Sequence, residues 1–96
     1  ANKESNMSKI IKLKKELINV STEVENLNPN EIMVWIEENI VEIRNDGTMT
    51  YTLGGPNIYI NLDTQSIEGY WGSVFTSVSC DTTILEEYYD MFQGAM

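Results

Sequence analysis

The sequence predicts an α+β fold in the order α-α-β-β-β-α, a three-stranded antiparallel meander with helices packed on one face. Two observations lead to this prediction. Apolar residues recur at helical spacing near both ends of the chain, whereas residues 48–71 alternate with the period of two that is typical of strands. A chain of 96 residues is long enough for one such domain. We place it at residues 8–96, after a flexible lead at residues 1–7.

The first helix is predicted over residues 8–27, with Ser8 as its N-cap. Its apolar residues step by three and four positions, which is the spacing of an a/d seam. The seam has two interpretations. It packs against the sheet as a core stripe, or it binds a second copy of the chain in a homodimer. The residues that we assign to self-association in the second case are Ile10, Leu13, Leu17, Val20 and Val24.

A second helix is predicted to begin at Pro29, with Asn28 as its N-cap, because proline is favoured at the first helical position. It ends near Val41, although residues 41–44 are equally able to begin a strand. The following Asn45-Asp46-Gly47 segment is the strongest turn signal in the chain.

Three strands are predicted at residues 48–53, 57–62 and 67–71, with a left-handed glycine corner at residues 54–56. The threonines of the first strand form a row that we expect to be solvated or to touch a ligand. A turn at residues 63–66 would pair Leu62 with Ile67. The aliphatic row and Trp71 would then face the helices, and Tyr59 would lie beside Tyr70 on the opposite face.

Two predictions concern the end of the chain. Residues 72–80 form either a short edge strand or an ordered loop. Residues 81–93 form the last helix, with Thr83 and Glu86 as a capping box and Gly94 as its end.

The charge of the chain is unevenly distributed. Residues 1–15 carry five lysines and one glutamate, or +4, whereas residues 16–96 carry fourteen acidic residues and one arginine, or −13. Such a surface repels phosphate backbones, so we expect no direct binding of nucleic acid. It attracts the basic surface of a host protein, including clefts that normally hold nucleic acid. The alternative is that the charge only keeps the protein in solution.

The sequence predicts no enzyme, cofactor or metal site. Histidine is absent, which removes the commonest general base and metal ligand. The single cysteine, Cys80, precludes an internal disulfide and is expected to be a buried structural thiol. No apolar run approaches the length of a membrane span, and the start of the chain lacks the apolar region of a signal peptide. We therefore expect a cytoplasmic protein with no membrane partner.

Carboxylates and exposed tyrosines are the candidate partner-binding residues. Spaced carboxylates can imitate the phosphates of a duplex, and tyrosine is enriched at protein interfaces. The candidates are Glu37, Glu38, Glu42, Tyr59, Asp63, Glu68 and Tyr70.

The segment Gly-Gly-Pro-Asn-Ile at residues 54–58, continued by Gly-Tyr-Trp-Gly at residues 69–72, resembles small acidic proteins of phages and mobile elements. In size, charge and layout the chain is also similar to phage-encoded inhibitors of bacterial defence, such as anti-CRISPR proteins. This resemblance implies an inhibitor of a host nucleic-acid-binding protein, but it assigns no functional residue.

Two functional hypotheses follow. The first is a non-enzymatic acidic inhibitor or adaptor that binds a basic host protein, with its carboxylates acting as a mimic of DNA. The second is a homodimeric scaffold or assembly protein that uses the seam of the first helix. The sequence leaves open whether the chain is a monomer or a homodimer.

Overall fold

In the part of the chain that the structure describes, five antiparallel strands form one sheet, and three α-helices pack on one of its faces. The computed structural model of the chain describes residues 2–95, and the side chains of residues 7–91. The strands follow one another in the sheet in the order β1-β2-β3-β4-β5. In chain order the elements are α1 (Asn2–Glu25), a 3-10 turn (Pro29–Glu31), α2 (Ile32–Asn39), β1 (Glu42–Ile43), β2 (Thr48–Thr52), β3 (Asn57–Asn61), β4 (Ser66–Trp71), β5 (Val74–Ser79) and α3 (Thr83–Ala95).

The α+β class is confirmed, but the predicted three-stranded meander is wrong because the sheet has two more strands. The order α-α-β-β-β-α lacks β1 and β5. The first, Glu42–Ile43, lies within residues 41–44 and so confirms the alternative that these residues begin a strand rather than end the second helix. The second contains Phe75, which interrupts the alternation of small polar and apolar residues, and it confirms an edge strand rather than a loop within residues 72–80. None of the helices described is long and apolar enough to cross a membrane.

Helix α1 packs across β4 and β5 through the predicted seam. Leu13, Leu17, Val20 and Val24 are buried, and all four belong to the core. Glycine at position 69 permits this close approach, since a Cβ atom there would lie 2.8 Å from Leu13 Cδ1. The seam is therefore the core stripe of the first interpretation.

The start of α1 differs from the prediction. The helix begins at Asn2, well before Ser8, so Ser8 is not its N-cap. The proposed lead at residues 1–7 thus overlaps the first turns of α1. The side chains of residues 1–6 lie outside the described part of the chain.

Helix α2 is shorter than predicted, because Pro29–Glu31 forms a 3-10 turn and α2 itself begins at Ile32. Asn28 has the expected extended backbone but makes no capping hydrogen bond, and its side-chain amide donates to the Glu31 carboxylate instead. Trp35 attaches α2 to the sheet by stacking on Tyr51, with ring centroids 6.2 Å apart.

The register of the β3–β4 hairpin is shifted by two residues from the prediction. Ile60 pairs with Ile67, and Tyr59 with Glu68. Leu62 follows β3 as the first residue of the turn, and its N–H donates to the carbonyl of Gly47, the residue before β2. The aliphatic row nevertheless faces the helices as predicted, since Ile58, Ile60 and Leu62 are buried.

Asp81 and Thr82, which precede the predicted Thr83–Glu86 capping box, supply the hydrogen bonds at the start of α3. The Asp81 carboxylate accepts hydrogen bonds from the N–H and the hydroxyl of Thr83, and the carbonyl of Thr82 accepts the N–H of Glu86. The Thr83–Glu86 capping box is therefore wrong. Gly94 does not end α3, which continues to Ala95.

Candidate functional site

The outer face of the sheet carries a cluster of three aromatic side chains. Tyr59 of β3 and Tyr70 of β4 meet edge to face, with ring centroids 5.8 Å apart, despite the shifted register. Phe75 of β5 continues the cluster, 4.8 Å from Tyr70. Because the helices lie on the other face, Tyr70 is 42% and Phe75 is 53% exposed. Large aromatic side chains in such positions are typical anchors of protein interfaces.

A groove of about 440 Å³ runs from this cluster towards the turn between β1 and β2. Its walls combine hydroxyl, amide, carboxylate and guanidinium groups with two tyrosine rings. The lining residues are Arg44, Asp46, Thr48, Tyr59, Asn61, Glu68 and Tyr70.

Two carboxylates and one guanidinium give the groove a mixed charge with an acidic excess. The Asp46 carboxylate accepts hydrogen bonds from the hydroxyl and the N–H of Thr48, at 2.5 and 3.1 Å. These bonds, together with the nearby Arg44 guanidinium, lower the pKa of Asp46, so it remains ionised near neutral pH. Asn61 Nδ2 approaches Glu68 Oε2 at 3.5 Å and orients this second carboxylate. The groove therefore favours a cationic group.

Helix α3 holds the β1–β2 turn in place from the other side of the molecule. The hydroxyl of Tyr89 accepts the N–H of Gly47 at 3.0 Å and donates to the carbonyl of Arg44 at 2.8 Å. Gly47 has the positive φ of +89° that the Asn-Asp-Gly signal indicates. Tyr89 thereby fixes the segment that carries Arg44 and Asp46.

We expect the fold to lose stability in acid through Asp46 and Asp81. Thr83 lowers the pKa of Asp81 by its hydroxyl and its N–H, as Thr48 does for Asp46. A carboxyl whose folded pKa is depressed stabilises the fold above its ordinary value of about 3.9, and this stability is lost as the pH falls through the folded pKa. Thermal unfolding from pH 7 to pH 2 should therefore show a fall in Tm that begins below about pH 4.

The controls for this prediction remove the donors. Thr48→Val with Thr83→Val should lower Tm at neutral pH and make its fall in acid shallower. An acid profile that the double variant shares with the wild type would contradict the assignment.

The structure brings only some of the predicted partner-binding residues together. Tyr59, Glu68 and Tyr70 line the groove. Glu42 is on the same side of the sheet, since it pairs with Thr50, which in turn pairs with Tyr59.

The remaining predicted residues lie elsewhere. Asp63 is in the β3–β4 turn at the end of the sheet, where its carboxylate would lie about 3 Å from a Cβ atom built on Gly47. Glu37 and Glu38 are exposed on α2, on the helix side of the sheet.

Most of the predicted self-association residues are buried in the core. Leu13, Leu17, Val20 and Val24 are buried within their own chain, and only Ile10, at 41% exposure, reaches the surface. This seam is therefore not available to a second copy.

Sequence reasoning missed Arg44, Asp46 and Phe75 as site residues, whereas Thr48 belongs to the threonine row that is expected to be solvated or to touch a ligand. The turn signal at residues 45–47 locates the start of β2, but nothing in the sequence relates that turn to Tyr59 and Tyr70 across the sheet. The threonine row was also wrong at Thr50, which is 2% exposed between the outward neighbours Glu42 and Tyr59.

The environment of Cys80 does not favour a reactive thiol. The Cys80 thiol is buried, its Sγ lies 3.8 Å from the carbonyl of Ser21, and burial raises its pKa. A buried thiol with a raised pKa is a poor nucleophile. Within the described part of the chain, no three acidic, cysteine or histidine side chains form a group that could hold a metal ion.

The groove and the aromatic cluster are thus the features that a function has to explain. Comparison with known proteins gives no matching family model, no matching curated protein and no matching solved structure.

Proposed function

We propose that the protein is a non-enzymatic acidic binding protein that holds a basic surface of a partner protein on the outer face of its sheet. The observation that carries the proposal is the exposed Tyr59–Tyr70–Phe75 cluster beside a groove with an acidic excess. Aromatic rings next to carboxylates suit an arginine or lysine side chain, which stacks on the ring while its charge meets the carboxylate.

The charge of the whole chain supports the same class of partner. Residues 16–96 carry −13, and most of these carboxylates lie on the helices rather than in the groove. They act at long range, where they raise the rate of encounter with a basic protein. The groove and the aromatic cluster act at short range, where they determine how long the complex lasts.

The resemblance to phage-encoded inhibitors suggests which partners to test first. These are nucleic-acid-binding proteins of host defence, whose basic clefts an acidic protein would occupy in place of a duplex. The absence of histidine and the burial of Cys80 support binding rather than catalysis.

The test is a pull-down with the immobilised chain from a host lysate at low and high salt, followed by binding kinetics with the captured protein. Tyr59→Ala with Tyr70→Ala should speed dissociation and weaken binding by at least about tenfold, because interface tyrosines contribute much of the binding energy. Glu37→Lys with Glu38→Lys, on the helix side, should only slow association, and its effect should vanish at high salt.

The two double variants serve as controls for each other. A captured protein that binds the tyrosine variant as tightly as the wild type would place the contact elsewhere. A Kd that changes neither with salt nor in either double variant would contradict the proposal of a basic partner.

A further inference from the structure

The two edges of the sheet are protected very differently. The β1 edge has two residues, one of them Glu42, and Arg44 follows it. Short and charged edges of this kind resist pairing with another strand. The β5 edge has six residues and contains neither proline nor lysine. It lies within residues 69–80, which contain no charged side chain although 22% of the chain is charged.

The hydrogen bonds of the sheet show which backbone groups of β5 point outwards. Cys80 N–H donates to the carbonyl of Gln65, and the register places these residues opposite each other. Bonded and non-bonded pairs alternate along an antiparallel ladder. Val74, Thr76 and Val78 therefore bond to β4, and the residues between them direct their N–H and C=O groups to the free edge.

Helix α1 carries an exposed apolar stripe on the same side of the molecule. Met7, Ile11 and Ile18 are 67%, 55% and 48% exposed, and their spacing of four and seven places them on one helical face. Ser21 lies between this face and the core, and its hydroxyl donates to the carbonyl of Ser79 in β5. On the opposite flank of α1, Glu23 meets Trp35 of α2. The stripe thus faces the β5 edge.

We propose that β5 and the α1 stripe together bind a second copy of this chain, with the two β5 strands antiparallel about a two-fold axis. Ser79 is already engaged by Ser21, so the free residues are Phe75 and Ser77. In the register that uses both free residues, Phe75 pairs with Ser77 of the partner subunit. Thr76 then lies opposite its own copy at the axis. Each bonded pair exchanges two hydrogen bonds.

The same axis brings the two α1 stripes into register. Leu13 and Leu17 lie over Gly69, which pairs with Thr76, so the middle of this helical turn is level with the axis. Ile11 and Ile18 are almost equally far from that level. Ile11 therefore contacts the partner's Ile18. The two-fold axis forms the same contact again between Ile18 and the partner's Ile11. Strands about 4.8 Å apart place a helix that lies over β4 and β5 about 10 Å from its copy, close to the usual packing distance of helices.

Charge distinguishes a second copy from other occupants of this edge. A two-fold axis normal to the sheet makes the helices antiparallel. The basic part of α1 at residues 7–15, which carries four lysines and no acidic residue, then lies beside the acidic end of the partner's α1, where Glu25 accepts the N–H of Asp81. This attraction opposes the repulsion between two chains of charge −9.

Sedimentation of the full chain over an about hundredfold range of concentration tests the proposal without any partner protein. We expect a dimer. Its Kd should rise at least about tenfold in the double variant Ile11→Lys with Ile18→Lys, and likewise in the single variant Ser77→Pro. Ser77→Pro removes an N–H that the sheet does not use, and edge prolines block strand pairing. Val34→Lys, at a side chain of 53% exposure on α2, is the matched control and should not change Kd.

A cross-link tests the register. Thr76→Cys should form a disulfide between the two copies on mild oxidation, because a non-bonded antiparallel pair has its Cα atoms about 4.5 Å apart, within disulfide range. Ser77→Cys should cross-link much less, since it lies opposite the partner's Phe75. A chain that stays monomeric over the whole range would overturn the proposal. So would a dimer that survives both disruptive changes.

Discussion

Gly69→Val should destabilise the protein by about 1–3 kcal/mol or more, with Gly69→Ala towards the lower end of that range. A Cβ atom at position 69 would lie 2.8 Å from Leu13 Cδ1 and 3.0 Å from Leu17 Cδ2. Both leucines belong to α1 and are completely buried between this helix and the sheet, so neither has free space into which it can turn. Valine adds two further methyl groups at the same place, which would lift α1 from β4.

Chemical denaturation of both variants measures this effect, and Gly55→Ala is the matched control. Gly55 has no neighbour within 4 Å of an added Cβ, so its change in stability should stay within about 0.5 kcal/mol. A double variant separates crowding from other causes. Gly69→Ala combined with Leu13→Ala should cost less than the sum of the two single changes, because the new methyl group fills part of the cavity. Strict additivity would show that the two sites do not touch.

Gly69 also illustrates what the sequence could reveal. The alternation of β3 and β4 predicted their inward faces, because a buried aliphatic row leaves a pattern with period two. The same alternation fits either register of the hairpin, since a shift of two residues keeps every side chain on its face. In the observed register the turn is closed by the N–H groups of Asp63 and Thr64, which both donate to Asn61 Oδ1, and by the positive φ of Gln65. Neither is visible in a hydrophobic pattern.

The candidate site was also predicted only in part, because the local pattern determines the face of a side chain but not its contacts with distant residues. Tyr59 and Tyr70 were expected to meet on the outer face, and they do so as diagonal rather than direct neighbours. Their face was predictable, because it is opposite the buried row. Arg44 lines the groove from the β1–β2 turn, and the hydroxyl of Tyr89 in α3 donates to the Arg44 carbonyl. That contact joins residues 45 positions apart, which no local pattern records.

Gly47→Ala is the second change with a large expected effect, a loss of about 1–3 kcal/mol. At φ of +89°, an alanine would pay the cost of a left-handed backbone. Its Cβ atom would also lie 2.9 Å from Asp63 Oδ1. The residue cannot move away easily, because Tyr89 accepts its N–H and its carbonyl accepts the N–H of Leu62.

Gly54→Ala separates these two contributions. Gly54 has a positive φ of +107°, but an added Cβ there has no neighbour within 4 Å, so its substitution costs the backbone term alone. The excess of Gly47→Ala over Gly54→Ala in chemical denaturation should shrink when Asp63→Ala removes the crowding carboxylate. If the two glycine variants are equally destabilised, the crowding by Asp63 contributes nothing. If the excess is present, the β1–β2 turn is locked between Asp63, Leu62 and Tyr89. The groove residues Arg44 and Asp46 are then held rigidly before any partner arrives, which lowers the entropy cost of binding.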